Sequence, residues 1–116
     1  MILAVLDDLM FTSKIKTAAS QLGAAVSFAR SADAARSALA ATPPSLVILD
    51  LNNARVDPLG LVAEMKANPA LAAIPTVGFV SHVQTDLISA ARAAGVTEVM
   101  ARSAFVAQLG EILGRH

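Results

Sequence analysis

The sequence contains no cysteine, no tryptophan and no tyrosine, and its aromatic rings are limited to four phenylalanines. The lack of cysteine excludes disulfides, thiol catalysis and cysteine-ligated zinc. The shortage of rings argues against stacking surfaces for single-stranded nucleic acid or sugars. No apolar run approaches the ~18 residues that a membrane helix needs, and the opening MILAVLDDLM lacks the basic segment and cleavage site of a signal peptide. We therefore expect a cytoplasmic protein without a membrane segment.

An excess of charge of either sign is also absent. Nine Lys and Arg residues balance nine Asp and Glu residues, which gives a formal net charge of +0. Without a basic surface to hold a phosphate backbone, we expect no nucleic-acid binding by this domain. The 116 residues are 55% hydrophobic and 16% charged, so the chain can bury a core and is predicted to form one domain over residues 1–116.

Short apolar runs alternate with helix-like segments along the whole chain. Continuous apolar runs predict strands that are covered on both faces. Five strand–helix units of about 23 residues each predict a parallel sheet with helices on both faces. We expect an α/β, flavodoxin-like fold with strand order 2-1-3-4-5. The predicted strands are Ile2–Leu6, Ala25–Ala29, Ser45–Leu49, Thr76–Val80 and Thr97–Ala101.

Residues typical of helix ends stand between these runs. Gly23 and Gly95 follow helix-like stretches and are predicted C-caps. Ser31 and Asp57 are predicted N-caps, and Thr85 could cap the fourth helix. The last helix has one apolar face at helical spacing, formed by Phe105, Val106, Leu109, Ile112 and Leu113.

Acidic residues stand where two neighbouring strands of the predicted sheet end. Asp7 and Asp8 follow the first strand, and Asp50 ends the third. Since ligands bind outside the carboxyl ends of such strands, we expect the three carboxylates to converge. Uncompensated, the cluster would raise the pKa of at least one member, and Mg²⁺ would relieve the repulsion. The alternative is that these acids only cap helices or face solvent.

The sequence resembles the receiver domain of response regulators, the phosphoacceptor module of two-component signalling. The resemblance covers essentially the whole chain and rests on ILAVLDD, PSLVILDLNN, ALAAIPTVGFV and AARAAGVTEVMARSAF. It implies that Asp50 is the phosphoacceptor. It implies that Asp7 and Asp8 are the acidic pair that positions Mg²⁺, and that Asn52 gives a backbone carbonyl to the metal. Asp57 matches an aspartate of the loop after the third strand.

Five positions depart from the family pattern. Val80 stands where the family has Ser or Thr, and Arg102 stands where it has lysine. Ser103 replaces the proline that follows this lysine. Val99 replaces the aromatic residue of the fifth strand, and Ala54 replaces the loop proline. The resemblance is therefore closest at the acidic residues and weakest at the residues that sense the phosphoryl group.

These departures have physical consequences at the expected site. Val80 offers no hydroxyl to a phosphoryl oxygen. Ser81 is next to it, but strand side chains alternate, so we expect Ser81 to point away from the site. Ser81 could supply the hydroxyl only if the register of the fourth strand or its loop differs by one residue. Arg102 keeps the positive charge on a longer, planar group. It could pair with Asp50 directly and neutralise the site without metal.

The resemblance implies a signalling switch rather than an enzyme. Asp50 would accept a phosphoryl group from a histidine kinase or phosphotransfer protein, with weakly bound Mg²⁺. A downstream protein, or a second copy in a homodimer, would bind the face of the fourth helix, fifth strand and last helix, where Arg92, Val99, Ala107 and Glu111 are predicted to point outward.

Other possibilities remain open at this level. The main alternative is a pseudo-receiver that acts as a phosphorylation-independent protein-interaction module, either alone or within a longer regulator. A small flavodoxin-like enzyme or cofactor carrier is disfavoured because the sequence has no G-x-G-x-x-G or G-x-x-x-x-G-K-[ST] motif. His82 follows the fourth strand and is expected to be solvated; its alternative role is in tuning hydrolysis or in a pH-sensitive contact.

Overall fold

Five short strands form one parallel sheet in the computed structural model, which describes residues 1–81 and 84–115. Its order, β2-β1-β3-β4-β5, confirms the predicted topology. Strand bounds differ from the predicted runs by at most one residue at either end. His82 and His116 lie outside the described residues. The strands are β1 (Ile2–Val5), β2 (Val26–Ala29), β3 (Leu46–Asp50), β4 (Thr76–Val80) and β5 (Glu98–Ala101).

Six α-helices and one short 3-10 helix connect and cover the strands of the described chain. None of these helices is both long and apolar enough to cross a membrane. The 3-10 helix, Ala54–Val56, lies in the loop after β3. The α-helices are α1 (Leu9–Leu22), α2 (Ala32–Ala41), α3 (Pro58–Ala67), α4 (Thr85–Ala94), α5 (Arg102–Ala107) and α6 (Leu109–Gly114).

The predicted single last helix is divided at Gln108. The N–H of Gln108 is shared between the carbonyls of Ala104 and Phe105, at 3.0 and 3.2 Å, and its ψ of 7° lies outside the α-helical range. The helix resumes because the carbonyl of Gln108 accepts from the N–H of Ile112 at 2.9 Å. The apolar face is buried as predicted, except that Val106 is only half-buried.

The sheet has an apolar cluster on each side, because successive strand residues point to opposite faces. Leu3, Val5 and Leu49 pack on the side covered by α2, α3 and α4, here called the α2–α4 side. Ala4 and Ile48 pack on the side covered by α1, α5 and α6, the α1/α6 side. The central strands β1 and β3 are thereby buried on both faces, which explains their continuous apolar sequences.

Four of the five predicted helix caps are present. Gly23 and Gly95 have φ of 67° and 107°, a left-handed backbone that glycine adopts without strain. The side chains of Ser31 and Asp57 each accept a hydrogen bond from the N–H three residues further along the chain. Thr85 does not cap α4, because the helix begins at Thr85 itself and residue 84 holds the cap position.

Candidate functional site

The three predicted carboxylates meet in one open pocket of about 440 Å³ at the carboxyl end of the sheet. Asp7 and Asp8 follow β1, and Asp50 ends the neighbouring β3. This strand pair is the point at which the chain order of the sheet reverses, where α/β folds bind their ligands. The lining of this acidic pocket consists of Asp7, Asp8, Asp50, Asn52, Asn53, Ala54, Arg55, Ser81 and Arg102.

Asp8 caps a helix and forms an ion pair at the same time. Its Oδ1 accepts the N–H of Phe11 at 3.1 Å, which makes Asp8 the N-cap of α1. Its Oδ2 accepts from Nη2 of Arg102 at 3.0 Å. The Phe11 N–H, and after it the Arg102 guanidinium, lowers the pKa of Asp8. The helix-capping alternative considered for these acids therefore holds for Asp8, in addition to its place in the pocket.

Asp7 is held by two residues that sequence reasoning missed. Its Oδ1 accepts from Nδ2 of Asn53 at 2.6 Å, and its Oδ2 accepts from Nη1 of Arg55 at 3.2 Å. Neither residue was among the predicted site residues, and the side chain of Arg55 is 84% exposed. Its position in the loop after β3, which meets the end of β1, was the one signal that could have indicated this contact.

Asp50 is half-buried, and its Oδ1 accepts the N–H of Asn52 at 3.1 Å. Burial is the main cause that raises the pKa of Asp50, and the charges of Asp7 and Asp8 add to it. The Asn52 N–H and the Arg102 charge act in the opposite direction. The expected rise in pKa within the cluster is present, although desolvation rather than mutual repulsion is its largest cause.

From the sequence, Arg102 could pair directly with Asp50, but the structure does not show this ion pair. Its ion pair is with Asp8, and its guanidinium carbon lies 4.1 Å from the centroid of the Phe11 ring. Phe11 is itself packed against Phe79 and Phe105, with ring centroids 4.9 and 5.7 Å away. The Phe11 ring therefore supports Arg102 beside Asp8, and Arg102 affects Asp50 through its charge.

The hydroxyl at the pocket comes from Ser81, and not from position 80. Val80 is 3% exposed and packs in the apolar cluster of the α2–α4 side. Ser81 lines the acidic pocket, where its Oγ accepts from Nη1 of Arg102 at 3.4 Å. The expectation that Ser81 points away was wrong, because β4 ends at Val80 and strand alternation does not extend to the next residue.

Asn52 connects the loop after β3 to the end of β4. Its Oδ1 accepts the N–H of Ser81 at 2.6 Å, and its Nδ2 donates to Oε1 of Gln84 at 3.2 Å. The sequence resemblance assigned to Asn52 only a backbone carbonyl. The structure adds a role for its side chain, which holds Ser81 against the pocket.

The ligand chemistry of the pocket suits a hard cation, because its donors are carboxylate and carbonyl oxygens. Two guanidinium groups, however, already contact Asp7 and Asp8. Among residues 1–81 and 84–115, no group of three His, Cys, Asp or Glu side chains is arranged to hold a metal ion. The donor set therefore fits Mg²⁺ in kind, although its carboxylates are not arranged around one point.

Two further surfaces bear on the predictions. A larger groove of about 640 Å³ lies between α1 and α6, with Met10 85% exposed on its rim, and it contains none of the predicted site residues. On the predicted partner face, Arg92, Ala107 and Glu111 are exposed as expected. Val99 was predicted to point outward, but it is half-buried against the α2–α4 side because α4 covers this part of β5.

No protein-family model matches the chain, and no curated protein matches it. Several solved structures, however, are similar to the chain. The phosphorylated cyanobacterial phytochrome response regulator RcpA is 27% identical over 98% of this chain and 88% of its own, with a TM-score of 0.80. The receiver domain of NtrX from Brucella abortus is 26% identical over 99% and 96%, with a TM-score of 0.81. The Mn²⁺-bound response regulator Rcp1 is 24% identical over 98% and 88%, with a TM-score of 0.81.

These similarities define the class of the protein. The chain has the fold of a response-regulator receiver domain over nearly its whole length, and the resemblance inferred from its sequence is confirmed. The sequence identities to RcpA and to the NtrX receiver domain, 27% and 26%, are low for chains that share so much of their fold. The fold places Asp50 at the end of the central strand β3, next to the acidic pair at the end of β1.

Proposed function

We propose that this chain is a signalling receiver that accepts a phosphoryl group on Asp50 from a histidine kinase or phosphotransfer protein. The observation that carries the proposal is the placement of Asp50 in an open pocket at the carboxyl end of β3. RcpA, which has the same fold, was crystallised in a phosphorylated form. A carboxylate oxygen of Asp50 would form the new O–P bond while the bond from phosphorus to the donor breaks.

The surroundings of Asp50 support this chemistry. The Asn52 N–H holds one carboxylate oxygen, and the pocket leaves the carboxylate half-buried and open to a small donor. Burial raises the pKa of Asp50, which makes its ionised form a stronger nucleophile. The Arg102 charge opposes this rise and favours the ionised form.

We propose Mg²⁺ as the cofactor, held by Asp7, Asp8, Asp50 and the backbone carbonyl of Asn52. The ion would neutralise charge on the phosphoryl oxygens. Arg102 and the Ser81 hydroxyl stand at the same pocket and can donate hydrogen bonds to a phosphoryl group. In this proposal Ser81 takes the part that the family gives to the Ser or Thr at the Val80 position.

Phosphorylation would act as a switch in the cytoplasm, without a turnover substrate. We propose that a downstream protein, or a second copy of the chain, reads this switch on the face of α4, β5 and α5. Arg92 and Ala107 are exposed there. Ala101 and Arg102 connect this face directly to the acidic pocket, because β5 ends where Arg102 begins α5.

The test is intact-protein mass spectrometry after incubation with Mg²⁺ and acetyl phosphate. We expect the mass of one phosphoryl group, removable by hydroxylamine as an acyl phosphate is. Asp50→Asn should not gain this mass, whereas Asp33→Asn, a change at a side chain that is 96% exposed outside the pocket, should gain it as wild type does. Absence of the adduct in wild type at high donor concentration would refute phosphoacceptance.

A second candidate function has its own supporting observation. The ion pairs of Arg55 with Asp7 and of Arg102 with Asp8 offset two of the three carboxylate charges of the pocket without metal. These features favour a pseudo-receiver that binds its partner in one fixed conformation. It predicts partner binding that Asp50→Asn and acetyl phosphate leave unchanged, which can be measured once a partner is isolated.

A further inference from the structure

Two arginines occupy the carboxylates that the proposed metal site would use. We propose that Arg102 and Arg55 are resident counterions of the acidic pocket, and that a divalent cation binds only by displacing their guanidinium groups from Asp8 and Asp7. The inference rests on the proposed function in one respect, since it takes this pocket as the cation site. It adds that the affinity of the site for a cation is set by two residues that do not bind the cation.

Arg102 is the stronger of the two counterions because three groups hold it. Its guanidinium carbon lies 4.1 Å from the centroid of the Phe11 ring, and its nitrogens donate to Asp8 at 3.0 Å and to Ser81 at 3.4 Å. Its side chain is 35% exposed, so solvent screens the ion pair only in part. Removing Asp8 from this arrangement therefore requires breaking a charge-assisted hydrogen bond at a fixed donor.

Arg55 is the weaker counterion. Its side chain is 84% exposed, and its one ion pair within residues 1–81 and 84–115, with Asp7, is 3.2 Å long. Pairs of this kind contribute little because water screens them and the long side chain loses freedom. Asn53 holds the other oxygen of Asp7 at 2.6 Å and carries no charge that would oppose a cation.

The charge balance of the pocket follows from these pairs. Three carboxylates and two guanidinium groups line it, which leaves one net negative charge. A divalent cation added to this arrangement would reverse the sign, and like charges confined to a small pocket repel. When Arg102 is absent the same cation meets two net negative charges, so it should bind more tightly.

The test compares Mg²⁺ affinity, measured by titration calorimetry without any phosphodonor, in matched variants. Arg102→Met keeps an apolar side chain over Phe11 and removes the charge. We expect its Mg²⁺ affinity to rise about tenfold, which corresponds to about 1.4 kcal/mol. Arg55→Gln should raise the Mg²⁺ affinity only about twofold. Arg115→Gln is the control, because it removes the same charge from an ion pair with Glu98, at the start of β5 and away from the pocket.

An independent measurement on the wild-type protein covers the case in which Arg102→Met does not fold. The Nε–H NMR signal of Arg102 should shift as Mg²⁺ is added, while that of Arg115 stays in place. Unchanged or weaker Mg²⁺ binding by folded Arg102→Met, or saturation of wild type without a shift at Arg102, would overturn the inference. Failure of the acetyl phosphate experiment would leave it standing, since the titration contains no phosphodonor.

Discussion

Thr76 and Thr97 exchange two hydrogen bonds: the N–H of each residue donates to the side-chain oxygen of the other, at 3.0 and 2.9 Å. Thr76 begins β4 and is fully buried, and Thr97 precedes β5. This reciprocal pair fixes the starting point of the two strands relative to each other. It lies at the amino end of the sheet, opposite the acidic pocket, so its contribution is to stability.

Thr76→Val should lower the free energy of unfolding by about 1–3 kcal/mol, because it leaves the N–H of Thr97 without its acceptor. Urea denaturation followed by circular dichroism measures the change. Thr17→Val is the matched control, since Thr17 is on the exposed surface of α1, and its effect should stay within about 0.5 kcal/mol. Equal effects of the two substitutions would contradict the assigned role of the pair.

Gly110→Ala should stabilise the protein more than Gly60→Ala does. Replacing a helical glycine by alanine gains about 0.5–1 kcal/mol of helix propensity at either position. A Cβ at Gly110 meets no described atom within 4 Å, so the gain should appear in full there. A Cβ at Gly60 would overlap the carboxylate of Asp57, which caps α3 through the Gly60 N–H, so loss of this cap should cost about 1 kcal/mol and cancel the gain. Thermal unfolding of both variants measures the difference, and a Gly60→Ala protein at least as stable as Gly110→Ala would contradict this prediction.

Asp50→Asn should stabilise the metal-free protein at neutral pH. The pKa of Asp50 is raised in the folded state, chiefly by burial, so the folded state binds its proton more tightly than the unfolded state does. Ionised Asp50 therefore costs stability, and this cost appears as pH rises above the ordinary Asp value of 3.8.

The measurement is the melting temperature of wild type and Asp50→Asn between pH 3 and pH 8 with a chelator present. The two curves should converge at the acid end, where Asp50 is protonated and neutral like asparagine. A wild type that is more stable than the variant at neutral pH would contradict the prediction. Asp8 contributes in the opposite sense, since the pKa of Asp8 is lowered and its stabilisation is lost as pH falls below 3.8.

Ser81→Ala should reduce the response to the phosphoryl mimic beryllofluoride, and Val80→Thr should not enlarge it. The Ser81 hydroxyl is at the pocket, whereas Val80 is buried on the α2–α4 side, where a hydroxyl without a partner costs about 1–3 kcal/mol of stability. NMR shifts of β5 and α4 with and without the mimic measure the response. A larger response in Val80→Thr than in wild type would show that position 80 reaches the pocket.

The strand order could be predicted because the strands and helices from which it follows are recognised by local sequence patterns. β1 and β3 begin as continuous apolar runs. Asp7 and Asp8 follow β1 and Asp50 ends β3, so strand adjacency alone brought the three carboxylates together. Glycine and serine marked helix ends for the same reason, since capping depends on neighbours within a few residues.

The partners of these acids could not be predicted in the same way. The Arg102–Asp8 contact joins residues 94 positions apart, and the Phe11 ring that orients Arg102 belongs to a third element. No periodic sequence pattern predicts a contact between residues so far apart in the chain. The position of Ser81 depends on where β4 ends, and an error of one residue there reverses the side on which a side chain is expected.

The two contacts of Asp8 couple the acidic pocket to the start of α1. The same carboxylate accepts the Phe11 N–H at the start of α1 and the guanidinium of Arg102. Any ligand that reorients this carboxylate must loosen the first turn of α1. The rate of amide hydrogen exchange at Phe11 should therefore follow the occupancy of the pocket, and a single backbone proton would serve as its indicator.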